Sequence, residues 1–81
     1  VNIKETSSLK TTIFHISKIE INSIKEMSSK IKNLRRMPFH QVFLFFPYFL
    51  YNELFKMLEQ NGVSVVSVRE DTNKIIAMRV S

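Results

Sequence analysis

The sequence predicts a small two-layer α/β domain, a mixed β-sheet with two helices in the order ββαβαββ. Three observations carry this. Two segments place apolar residues at helical spacing, Ile21 to Leu34 and Leu50 to Leu58. The segments around them are β-branched or aromatic, as strands are. Pro38, Pro47 and Gly62, three of the strongest structure breakers, fall at the junctions. The 81 residues make one domain, 1–81. The chain opens on Val1, so it is expected to be a piece of a longer one.

Val1 to Glu5 reads as a short edge strand, and Thr6-Ser7-Ser8 as a turn. Lys10 to Ser17 is the second strand, with Phe14 and Ile16 on one face and Ile13 and His15 on the other. Residues 20–36 form the first helix. Ile21, Ile24, Met27, Ile31 and Leu34 make its apolar stripe, while Lys18, Lys25, Lys32 and Arg36 follow a solvated side. Pro38 ends it.

Gln41 to Phe46 is the next strand. Its unbroken apolar run implies cover on both faces. Pro47 opens the second helix, which runs to about Asn61 with Leu50, Leu54 and Leu58 as its stripe. Gly62 caps that helix in the left-handed region. Val63 to Arg69 alternates as a strand, residues 70–73 turn, and Lys74 to Val80 is the last strand. Hairpins join the strands at each end, and the helices join parallel strands by right-handed crossovers. Two helices cannot cover two sheet faces generously. Either they split between the faces, or something outside the chain covers the second.

Composition excludes much chemistry. The chain has no cysteine, so it forms no disulfide, thiolate nucleophile or Cys-based zinc site. Its single glycine rules out Gly-rich phosphate loops. His15 and His40 belong to different segments without spaced carboxylates, so neither reads as a metal ligand. No serine lies in a nucleophile elbow. The expectation is a non-enzyme without cofactors. The longest apolar run, Val42 to Tyr51, is too short to span a membrane and holds Pro47. No membrane insertion and a cytoplasmic location are expected.

Charge is uneven. Residues 1–37 hold eight basic and three acidic side chains, and so carry the whole net charge of +5. The Lys18, Lys25, Lys32 and Arg36 line makes a nucleic-acid-binding module of the Alba type, or of the type ending translation initiation factor three, the alternative reading. Against it, no aromatic-plus-glycine motif lies beside the charges. The basic arm of Alba is absent, and Glu70-Asp71 stands in its place. Nucleic acid is therefore disfavoured. Sulfur carriers of this topology need a Cys-Pro pair, and STAS domains a phosphorylatable serine where this chain has Pro47-Tyr48-Phe49.

A different family fits better. Ile3-Lys4, the Ser7-Ser8 pair, His15 at a strand end, Lys30-Ile31, Val42-Phe43-Leu44 and Asn61-Gly62 before Val65-Val66-Ser67-Val68 follow one another in order. From Ile3 to about Asp71 the sequence resembles the N-terminal domain of MinC, the bacterial division-site inhibitor family. It departs at Glu5, where the family tends to have glycine, at the short Pro47-Tyr48 link, and after Asp71, where no further helix follows.

The resemblance implies a non-catalytic inhibitor of septum formation that binds FtsZ and antagonises its assembly. Binding of MinD belongs to a C-terminal domain of the family that these residues do not include. The residues that the resemblance implies for partner binding are Lys4, Lys30 and Met37; Lys10 joins them from the first hairpin. Lysines would steer an encounter with an acidic partner and an apolar residue would anchor it. The plainer reading of each lysine is a solvated charge, and of Met37 the edge of the core. Tyr48, Tyr51 and Phe55 recur at spacings of three and four. They read as core, or as a self-association surface in a homodimer.

Overall fold

A computed structural model describes residues 2–70 and 73–81. Its elements are β1 (Ile3–Ser7), β2 (Thr11–Ile16), α1 (Ile21–Leu34), β3 (Gln41–Pro47), α2 (Tyr51–Gln60), β4 (Val65–Glu70) and β5 (Ile75–Val80), with a 3₁₀ turn at Tyr48–Leu50. The predicted ββαβαββ order, mixed sheet and two helices are all present. The sheet order is β1-β2-β3-β5-β4. β2 and β3 are parallel, and the other pairs are antiparallel. β5 therefore lies between β3 and β4, so α2 links two strands that are not neighbours.

Alternation along the strands divides the sheet into two unlike faces. Phe14 and Ile16 of β2, Val42, Leu44 and Phe46 of β3, and Ile76, Met78 and Val80 of β5 are buried. They form one cluster with Ile24, Met27 and Ile31 of α1 and Leu54 and Leu58 of α2. Both helices thus cover the same face. Of the two alternatives the split of the helices between the faces fails, and on the uncovered face Phe43 and Phe45 remain half-buried, with no described element of this chain packed over them.

Several boundaries shift for local reasons. Thr6 and Ser7 belong to β1 because they pair with Ile13 and Thr12; the turn is at Ser8 to Lys10. α1 ends at Leu34, ahead of Pro38. Ile21 is 65% exposed rather than part of the core. At about 100° per residue it lies on the shoulder of the arc centred on Ile24 and Ile31, in the helix's first turn. Pro47 closes β3 with extended backbone, φ −61° and ψ 143°, and α2 begins only after the 3₁₀ turn. Val63 is buried but precedes β4. Of the predicted turn at 70–73, Asp71 and Thr72 lie outside the described residues.

Gly62 caps α2 as expected, at φ 77°. Its N–H donates to the Glu59 carbonyl at 3.1 Å, and the Val63 N–H donates to that of Leu58 at 2.9 Å. This is the Schellman arrangement, with Val63 just beyond the cap and Leu58 of the last turn both in the buried cluster. Lys32 reaches across from α1, and its Nζ would lie 3.2 Å from a Cβ at Gly62. Arg35 donates from Nη2 to the Gly62 carbonyl at 3.3 Å. Lys32 of α1 and Arg35 at its C-cap thus meet the negative end of α2, Lys32 remaining solvent-exposed as the stripe predicts.

Candidate partner-binding surface

Three large apolar side chains are left in water at one end of the sheet. Leu9, in the β1–β2 turn, is 87% exposed; Phe39, between α1 and β3, is 88% exposed; Met37 is 47% exposed. The two loops are stitched together, since the Gln41 N–H donates to the Lys10 carbonyl at 2.9 Å. Phe39 has φ 61°, a conformation that costs a non-glycine residue about 1–2 kcal/mol. The backbone holds it there through the His40 N–H, which donates to the Met37 carbonyl at 3.3 Å.

His40 fixes the loop from the other side. Its Nε2 shares a hydrogen bond of 2.8 Å with Thr12 Oγ1, which lies 3.1 Å from Ser7 Oγ. Thr12 is fully buried, and this chain satisfies its hydroxyl. The other imidazole nitrogen, Nδ1, is buried without a partner. These hydrogen bonds tether β1 and β2 to the loop that carries His40. Among the described residues no cluster of three metal-ligating side chains forms.

Beside this end, a groove runs between β1 and α1. Glu5, Lys30, Asn33, Leu34 and Met37 line a cavity of 220 Å³. A second cavity, of 200 Å³, continues from Glu5 and Lys30 toward Asn2. Lys30 Nζ crosses the groove to Glu5 Oε1 at 3.2 Å, an exposed ion pair. Glu5 is the position where the resemblance expects glycine, so this departure occupies the lysine that the resemblance singles out.

The expected partner residues do not share one surface. Lys10 and Met37 lie at the loop end, with Lys30 in the adjoining groove. Lys4 pairs with His15 in the sheet and lies on the opposite, open face. Leu9 and Phe39 were not expected; the signal for them was a leucine in a Ser-Ser-Leu-Lys turn and a phenylalanine straight after proline, where a large apolar side chain has no local core to join.

The aromatic trio divides as well. Tyr51 and Phe55 stand with ring centroids 5.9 Å apart and pack on the core's edge. Tyr48 is 49% exposed, edge-on to Phe49 at 5.8 Å, with Lys74 Nζ 5.9 Å from its ring.

Comparison with protein-family models, curated proteins and solved structures finds no match. Among the described residues no helix is long and apolar enough to cross a membrane.

Proposed function

We propose that this chain is a non-catalytic, cytoplasmic protein-binding domain that inhibits bacterial septum formation by binding FtsZ and opposing its assembly. One observation carries the reading: exposed Leu9, Met37 and Phe39 share an end of the molecule with Lys10, next to the Lys30 groove. Apolar anchors beside Lys10, with Lys30 paired to Glu5 in the adjoining groove, suit a partner of mainly acidic surface, the anchors supplying affinity and the charge the encounter rate. The order of sequence matches to the MinC N-terminal domain supplies the identity of the partner. MinD is not a partner of these residues on this reading.

The test is light scattering of FtsZ assembly with the domain added. Assembly is expected to fall as the domain approaches equimolar amounts, and Met37→Glu is expected to abolish the effect. Undiminished assembly at large excess overturns the reading. A domain in which Met37→Glu inhibits as well as the parent would keep the partner but remove this surface.

A further inference from the structure

The sheet face without helices has a chemistry of its own. Cross-strand partners point to the same face, and one row runs Lys4, His15, Phe45, Ala77, Arg69 across all five strands. In the next row Phe43 stands directly opposite Arg79. His15 and Phe45 meet edge-on at 5.4 Å. Phe45 and His15, with Lys4, Pro47 and Ile75, also line a shallow cavity of 530 Å³. Phe43 and Phe45 are half-buried, while Lys4, His15 and Arg69 are exposed.

The acids lie elsewhere. Of the carboxylates on the described strands, Glu5 pairs with Phe14 and Glu70 with Ile76, both on the helix side. The open face therefore carries Lys4, Arg69 and Arg79 and, among the described strand residues, no carboxylate. Charge alone disfavours a second copy on this face, because a two-fold pairing would bring these cations against their own copies. It favours a polyanion, and the two rings between the cations favour one with flat faces to stack.

We propose that the open sheet face binds single-stranded nucleic acid. Bases stack on Phe45 and Phe43, with Ala77 leaving room beside the first ring. Lys4 and Arg69, about 19 Å apart across four strand spacings, and Arg79 between them hold phosphates. Sheets with exposed aromatic residues flanked by basic ones bind single strands in this manner, with little sequence preference. The site is separate from the FtsZ surface at the loop end and stands or falls without it. It differs too from the basic line on α1, whose Lys32 is drawn over the end of α2.

The experiment is fluorescence anisotropy of a labelled single-stranded oligonucleotide of about twelve nucleotides. With three phosphate contacts, the logarithm of affinity should fall against that of salt with a slope of about −2. Phe45→Leu keeps the apolar volume but removes the ring, and is expected to weaken binding roughly ten-fold. Lys4→Glu and Arg69→Glu, at exposed edge positions, should weaken it further and flatten the slope. Lys25→Glu on α1 should change little.

Four results overturn the proposal. One is no binding at about 50 mM salt, where phosphate contacts are strong. Another is equal affinity for Phe45→Leu and the parent, which reduces the effect to charge. A third is loss of binding through Lys25→Glu but not Lys4→Glu, which moves it to the helix. The last is equal or tighter binding of an acidic peptide under the same conditions, which makes the face a protein contact.

Discussion

The two faces of the sheet share five strands and differ in nearly everything else. On β3, Val42, Leu44 and Phe46 point toward the helices and are at most 2% exposed. Phe43 and Phe45, between them in sequence, stay half-buried on the other face. The helix side is built of aliphatic and aromatic groups from α1, α2, β2, β3 and β5. The open side sets rings between cations at its two edges. One face of the sheet supplies stability, and the other keeps apolar surface that the fold itself has not used.

The sharpest way to break this contrast is a pair of substitutions one residue apart. Leu44→Ala removes a fully buried side chain from the middle of the cluster and is expected to cost about 2–5 kcal/mol. Phe45→Leu, on the open face, should cost less than about 1.5 kcal/mol. Urea unfolding of both measures it; equal losses would mean that the open face is a second core.

The next largest effect concerns the cap that holds α2 over the covered face. Gly62→Ala forces a side chain into the left-handed region and should destabilise by about 1–2 kcal/mol. The new methyl meets only the movable end of Lys32, so backbone strain dominates. A melting temperature unchanged by Gly62→Ala would remove the strained cap from the account. For a domain of this size each kcal/mol corresponds to roughly 4–8 °C.

The covered face also holds a flaw. Ser28 is 1% exposed on α1, and its hydroxyl has no hydrogen-bond partner. Ser28→Ala should stabilise by about 1 kcal/mol, since it removes an unpaired buried group and favours the helix. Destabilisation in thermal melts would show that the hydroxyl has a partner after all.

The smallest effect on stability belongs to the exposed loop end. Phe39→Gly releases the left-handed strain and should raise stability by less than about 1 kcal/mol, because glycine also gains freedom when unfolded. The same change should weaken inhibition of FtsZ assembly, separating stability from binding. A variant both more stable and fully inhibitory would remove Phe39 from the proposed contact.

Much of the architecture was legible in periodicity. The Ile24, Met27, Ile31 stripe and the Leu54, Leu58 pair mark the helix faces that are buried, and Gly62 marks where α2 stops. These are local properties, set by the helical repeat and by the one residue that accepts a positive φ without penalty. Strand order was not legible. Val65 to Val68 and Ile75 to Val80 are similarly apolar, yet β5 is central and β4 is an edge with a bulge between Val65 and Ser67. Only pairing across the sheet distinguishes them. The candidate surfaces were less legible still. Lys10 and Met37 lie 27 positions apart in the chain, and only the contact between two loops brings them to one end.

By itself, the sequence determined the element types, the helix stripes, the cap at Gly62 and the absence of cysteine chemistry, because each depends on residues within a few positions. The tertiary structure decided which face the helices cover and what the other face displays. Lys4, His15, Phe45 and Arg69 are scattered along the sequence, yet they stand in one row. Sheet register aligns residues from distant segments at right angles to the chain, and no pattern read along the chain contains that direction.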